Sequence, residues 1–283
     1  MVCSGTFLMV NIIPSLRILP INNLILHEDH DRQRTLPLVA KLRAQGILRN
    51  PPIVMPLNDG TGRFMVLDGA NRVTSLQEME FPHLVAQVVP YDDPHVYLGT
   101  WNHVVWGMSP RTMLASLRNA KEVDFRKINT QKSLTPPEGM PAQIRFRDGS
   151  VYLATTAPDL SSAVTGLHHI VNAYKDRASL DRTSQTLIEG LDDIHSDLTA
   201  LVIFPRFEVT TVLTLAGRGD VLPTGITRFT VSPRALHLNY PLHELSSGKP
   251  IAYKEAYLQH WVQERIKHKG VRHYAEATFL FDE

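Results

Sequence analysis

The stretch R-F-M-V-L-D-G-A-N-R-V-T-S-L-Q-E-M, Arg63 to Met79, constrains this chain most. Phe64 to Leu67 form a short apolar run without Gly or Pro, the pattern of a buried strand. Asp68 and Gly69 break it. From there Val73, Leu76 and Met79 fall at helical spacing. The order strand, tight turn, helix predicts an α/β fold (α+β in the wider sense). The first N–H groups of such a helix have no intrahelical partner and carry the positive end of its dipole. Gly69 lets the backbone approach a ligand, and Arg72 offers a planar fork of donors. With the backbone N–H groups of Gly69, Ala70 and Asn71, these make an anion cradle. Asp before Gly is also ordinary turn and capping chemistry, so spacing alone leaves both readings open.

The composition narrows the classes. A chain of 283 residues, 43% hydrophobic and 20% charged, is long enough for two domains and reads as a soluble globule. The net charge of +1 lacks the basic excess of a nucleic-acid surface. The single cysteine, Cys3, excludes an internal disulfide and a cysteine-built metal site, which suits a reducing cytoplasm. The apolar N-terminus lacks a charged leader region and is interrupted by Asn11 and Pro14, so neither a signal peptide nor a membrane span is expected.

In chain order, Ile18 to Leu26 reads as one strand ending at a polar cluster, His27 to Arg32. Leu36 to Ile47 suits a helix closed by Gly46, and Ile53 to Met55 a strand. Asn58 to Gly62 is a hairpin-type turn into the central strand, and Leu84 to Val89 is a further strand. Arg111 to Lys132 is expected as one helix, followed by a proline-rich loop from Ser133 to Pro141 between domains. Ile144 to Ala154 is a β-hairpin turning at Asp148-Gly149, and Leu160 to Tyr174 a helix. Leu198 to Phe204, Val209 to Leu215 and Gly225 to Val231 read as strands, with another at Leu236 to Leu238. A helix around Leu258, Trp261 and Ile266 closes the chain, ending at Gly270. The division expected is 16–115 and 116–283.

The segments L-P-I-N-N-L-I-L-H-E, G-I-L-R-N-P-P-I-V and V-L-D-G-A-N-R-V-T-S-L-Q-E-M together resemble the ParB/sulfiredoxin-like domain. The matches are Gly46, Pro51 or Pro52, Asp68, Gly69 and Arg72. More narrowly, L-H-E at the first strand's end, T-W-N-H at Thr100 to His103 and the closing Y-A-E-A-T-F-L-F-D-E resemble the free-serine kinase branch. That resemblance implies a nucleotide-binding first domain and a second α/β domain on the substrate side. It implies a cytoplasmic enzyme that phosphorylates free L-serine, with ATP or ADP and Mg2+. Two departures stand out. Asn71 occupies the place of a histidine in the family turn, and Phe229 another. The turn also carries no cysteine, so sulfinic-acid repair is excluded.

The resemblance favours Glu28 as the catalytic acid-base group, although a carboxylate in that place can also simply cap the next helix. Asp68 is the second expected catalytic residue and the Mg2+ ligand. Pro52, Gly69, Ala70, Asn71 and Arg72 are expected around the phosphates. Arg228 and Arg234 are candidate clamps for a substrate carboxylate, with Trp101, Thr227 and Asn239 lining the pocket. His168-His169, the group Asp192, Asp193, His195 and Asp197, and Arg218-Gly219-Asp220 read as structural or solvated features. The rival function is a non-enzymatic, ParB-like nucleotide-binding regulator of transcription. It lacks a clear helix-turn-helix, and a degenerate ligand sensor is a third reading.

Overall fold

The structure, a computed structural model, describes residues 13–30, 32–119, 122–129, 135–137 and 139–274. Cys3, Met9, Asp31 and the closing residues from Ala275 onward lie outside them. A five-stranded sheet has the order β1 (Leu16–Pro20), β6 (His83–Val88), β4 (Ile53–Pro56), β5 (Phe64–Asp68), β2 (Leu24–Leu26). Its two edge strands, β1 and β2, are joined by a single 3-10 turn, Ile21–Asn23. Such a turn rises only about 2 Å per residue, so the sheet must curl until its edges nearly meet. The single strand expected over Ile18 to Leu26 is therefore two strands. Its first half pairs antiparallel with β6 and its second half parallel with β5.

The mixed α/β architecture agrees with the fold class expected. β5 is buried on both faces: Met65 and Leu67 enter one core, Val66 the other. That double burial explains its unbroken apolar run. Helices α1 (Arg32–Gln45) and α2 (Ala70–Glu78) lie together on one side, where Val73 and Leu76 are fully buried. The C-terminal segment returns to this same core. A two-stranded pair of β3 (Ile47–Leu48) with β15 (Tyr240–Pro241) leads into α7 (Leu242–Ser246) and α8 (Ile251–Lys267). Leu258 packs into the core from α8, and Glu255 accepts from the Ile18 N–H at 3.0 Å.

The second sheet has the order β12 (Ser179–Thr183), β8 (Asn102–Trp106), β13 (Leu198–Ile203), β10 (Ala142–Phe146), β11 (Val151–Thr155), β9 (Asp124–Ile128). It is covered by α3 (Pro110–Arg118), α4 (Leu160–Asn172) and α6 (Val209–Arg218), with the short α5 (Leu191–Ile194) beyond. Its core is continuous with the Ile53, Met55, Met65 and Leu67 face of the first sheet. A ribbon of β7 (Val96–Thr100) and β14 (Thr227–Val231) joins the two units. The sheets do not divide the chain at residue 115: β8 belongs to the second sheet, and α8 packs on the first.

Three expected elements are different. Val209 to Leu215 is helical, not extended. Val212, Leu213, Leu215 and Ala216 bury one face of α6, and Gly219 at φ 83° closes it. Packing of that face outweighs the strand preference of its Val and Thr residues. The helix expected to reach Lys132 stops at Arg118, and β9 follows because its residues add an edge to β11. Leu236 to Leu238 is not a strand: His237 and Asn239 have φ of 52° and 51°, which turn the chain onto β3. Among the described residues no helix is long and apolar enough to cross a membrane.

Candidate active site

β2 and β5 run parallel with Leu26 opposite Val66, so Glu28 and Asp68 each stand two residues beyond a paired position. Both carboxylates thus leave the same end, the carboxyl end, of two neighbouring strands. The turn that follows β5 has Gly69 at φ 99°, the left-handed region that favours glycine. A Cβ there would lie 3.0 Å from the Arg72 guanidinium and from Pro52 Cβ, so the turn is built around the missing side chain. Gly69, the N-cap residue of α2, has no side chain with which to cap it. Its first amides, from Ala70 and Asn71, lead a helix of nine residues.

Arg72 folds back across this turn. Nη1 donates to the carbonyls of Asn50 and Pro51 at 2.9 and 3.1 Å, and Nη2 to Asp68 at 3.2 Å. Among the described residues, one N–H of Nη2 and the Nε–H have no partner. Pro52 is a buried wall behind Gly69, with its carbonyl accepting from Gln87 N–H at 2.8 Å. Burial works to raise the Asp68 carboxyl, but the Arg72 and Arg234 guanidiniums outweigh it and hold it below its ordinary value. Both arginines meet the same oxygen, Oδ2. Among the described residues, Oδ1 accepts no hydrogen bond.

Arg234 reaches Asp68 from the segment after β14, residues 232–239. Buried Gln87 holds the start of that segment, donating to the Pro233 carbonyl and accepting from the Ala235 N–H, each at 2.8 Å. Asn50 Oδ1 accepts from His237 N–H at 2.8 Å, and Asn239 N–H donates to the Arg49 carbonyl at 3.1 Å. Asn239 therefore helps dock this segment beside the Gly69 turn through its backbone.

Glu28 binds the start of β14. Oε2 accepts from Gly225 N–H at 2.7 Å. Oε1 accepts from Ile226 N–H at 3.1 Å, from Thr227 N–H at 2.6 Å and from the Thr227 hydroxyl. Four donors converge on one carboxylate, and Oε2, with a single donor, keeps an open lone pair. Thr227 also faces His27 Nε2 at 2.8 Å, while His27 Nδ1 donates to the Val66 carbonyl at 2.6 Å. Burial pushes the His27 imidazole below its ordinary value, against the opposing pull of Glu28 and that carbonyl. Phe229 stands edge-on to the ring, 5.2 Å away.

Alternation along β14 sends Arg228 to the other face of the ribbon, away from Thr227 and Phe229. Its guanidinium lies 4.3 Å over the Trp101 ring. It borders a cavity of about 370 Å³ whose lining includes Tyr97, Ser184, Arg206 and Thr230. The structure thus brings Glu28, Asp68, Gly69, Ala70, Asn71, Arg72, Arg234 and Thr227 to one end of the first sheet. Arg228 and Trp101 stand apart from that group.

His27, Gln87 and His103 escaped the sequence reading as site residues. His27 stands in the L-H-E segment, and its adjacency to Glu28 was the available signal. Gln87 is a polar residue within the apolar stretch Leu84 to Val89, which carries no site signal of its own. His103, buried in β8, donates through Nε2 to the Gly225 carbonyl at 3.1 Å and lies 2.8 Å from the Tyr174 hydroxyl. It backs the loop that Glu28 holds.

No family model matches the chain. It is 25% identical over 271 residues to the ATP-dependent L-serine kinase SbnI of Staphylococcus aureus, covering 95% of this chain and 97% of that protein. It is 29% identical over 90 residues to an ATP-dependent L-serine kinase of Staphylothermus marinus, covering 32% of this chain and 35% of the relative. Among solved structures, C-terminally truncated SbnI superposes with a TM-score of 0.72 at 21% identity, over 89% of this chain and 97% of that one. A free serine kinase in complex with AMP gives 0.67 at 14% identity, over 82% and 94%. The chain therefore has the fold of the free serine kinases and is similar along nearly its whole length to a protein named as an L-serine kinase.

Proposed function

We propose that this protein is a kinase that transfers a phosphoryl group from ATP to the hydroxyl of free L-serine, giving O-phospho-L-serine, in the cytoplasm. The observation that carries it is the placement of Glu28 beside the Asp68-to-Arg72 turn, in a chain similar end to end to an L-serine kinase. The first sheet is read as the ParB/sulfiredoxin-like, nucleotide-binding part. Phosphates dock at the start of α2, against the Gly69 turn, with the remaining Arg72 donors and Arg234 beside them. Among the described residues no three His, Cys, Asp or Glu side chains form a metal cage. Mg2+ is commonly held by phosphate oxygens, water and one or two carboxylates, and Asp68 Oδ1 fits that share. The ion would neutralise charge on the phosphates.

Phosphoryl transfer is largely a matter of positioning. The serine oxygen forms a bond to the terminal phosphorus as the bond to the departing nucleoside diphosphate breaks. The hydroxyl proton passes to Glu28 Oε2, the oxygen with the open lone pair. Thr227 and Asn239 shape the substrate side through the loops they hold, and Trp101 with Arg228 walls the ribbon's far face. The test is mass-spectrometric detection of O-phosphoserine after incubating the protein with L-serine, Mg2+ and either ATP or ADP. Product with ATP is expected. Failure with both nucleotides rejects the kinase and leaves a nucleotide-binding regulator or sensor, which a salt-dependent DNA titration then examines.

A further inference from the structure

We propose that His27 is a positioning residue that competes with Glu28 for the single hydroxyl proton of Thr227, and so sets how readily Glu28 accepts the substrate's proton. This rests on the kinase reading for its chemistry, but its geometry stands alone.

The argument is a count of protons. His27 Nδ1 faces a carbonyl, Val66, which can only accept, so Nδ1 carries a proton. Burial disfavours a second proton on the ring, which leaves a lone pair on Nε2. Nε2 faces Thr227 Oγ1 at 2.8 Å, and the same oxygen contacts Glu28 Oε1. Two acceptors flank a hydroxyl with one proton. Only one can be served at a time.

The charge on Glu28 decides which. While Glu28 is an anion it is the stronger acceptor, because hydrogen bonds to charged groups are the stronger ones. The Thr227 proton then points at Oε1. When the serine proton arrives on Oε2, Oε1 becomes a neutral carbonyl oxygen and loses that advantage. The hydroxyl can turn about its own Cβ–Oγ1 bond and donate to His27 Nε2. No proton leaves the trio: one O–H rotates as another forms on Oε2. The protonated state of Glu28 thus gains a hydrogen bond that its charged state cannot use. Without the imidazole the hydroxyl would stay committed to Glu28 and favour the anion.

The neighbours leave few rivals for this role. Val66 meets His27 from β5, and Thr227 and Phe229 meet it from β14. Glu28, adjacent in the chain, is the charged group that acts on it among the described residues. Three backbone N–H groups hold the carboxylate in place, so the Thr227 hydroxyl is the adjustable donor.

The test uses substitutions of opposite sign. His27→Asn keeps a donor for the Val66 carbonyl but removes the acceptor at Nε2. Thr227→Val removes the contested hydroxyl while keeping its backbone bonds, and Thr227→Ser keeps both. His27→Asn is expected to lower kcat about five- to tenfold with little change in KM, and to move the acid limb of the kcat–pH profile down. Thr227→Val is expected to move that limb up, and Thr227→Ser to follow the wild type. Limbs that stay put, or move the same way in both variants, overturn the proposal. A 15N NMR measurement on the imidazole of Glu28→Gln, with and without Thr227→Val, gives a readout that needs no turnover. A protonated Nδ1, with an Nε2 signal in Glu28→Gln that changes on loss of the hydroxyl, supports the competition. A protonated Nε2, or an Nε2 signal indifferent to the hydroxyl when residue 28 is neutral, rejects it. A wild type that makes no O-phosphoserine sinks the kinase reading, and the NMR result still decides the role of His27.

Discussion

Arg234 and Arg72 donate to the same oxygen of Asp68, one from the segment after β14 and the other from the first turn of α2. The turn after β5 and the C-terminal part of the chain are thereby tied at one carboxylate. The Asp68 carboxyl is held below its ordinary value of 3.8, so its protonation is harder folded than unfolded. Its contribution is full above that value and is lost as pH falls through the lower folded one. Asp68→Asn should remove this acid-dependent part of the stability. Urea midpoints measured between about pH 5 and pH 2 check it: the wild type should fall more steeply than the variant, and parallel curves would dismiss the tie.

Glu28 holds three backbone N–H groups of residues 225–227, which makes it a strut as well as the proposed base. Glu28→Ala should abolish O-phosphoserine formation while nucleotide still binds. It should also cost about 2–4 kcal/mol of stability, because partly buried donors lose a charged acceptor. Calorimetric nucleotide titration and thermal melts separate the two effects. Loss of nucleotide binding along with product would make Glu28 purely structural.

Gly69→Ala places a Cβ 3.0 Å from both the Arg72 guanidinium and Pro52, at φ 99°. The expected cost is about 1–3 kcal/mol from backbone strain alone. Nucleotide affinity should fall at least about tenfold, because Arg72 must give up its place across the turn. Wild-type affinity in a folded variant would show that phosphate docks elsewhere. Arg72→Ala should weaken nucleotide binding in the same direction.

His103 gives a second pH signal, near neutrality. Burial lowers it from 6.5 to about 4, against the raising pull of the Gly225 carbonyl. Between those two values the unfolded chain takes up a proton that the folded one refuses. Stability therefore drops as pH falls from 6.5 towards 4, by up to about 3 kcal/mol at about 1.4 kcal/mol per unit. His103→Phe should flatten that part of the pH–stability curve, as read from melting temperatures at fixed ionic strength. An unchanged slope would place the titration in another group.

The strand–turn–helix at Arg63 to Met79 was legible because every signal in it is local. An apolar run, a glycine that alone tolerates its φ, and helical spacing act within a few residues of one another. The hairpin at Asp148-Gly149 and the closing helix were legible for the same reason. Val209 to Leu215 failed because its β-branched residues favour a strand locally, while the face it buries is supplied by distant parts of the chain. The site divides along the same line. Glu28, Asp68 and Arg72 could be named from motifs, but their partners lie 166 to 199 positions away or across a loop. No periodicity links Glu28 to Thr227, or Arg234 to Asp68. Those pairings exist because a curled sheet brings the ends of β2 and β5 under the loops that flank β14, and only folding sets that distance.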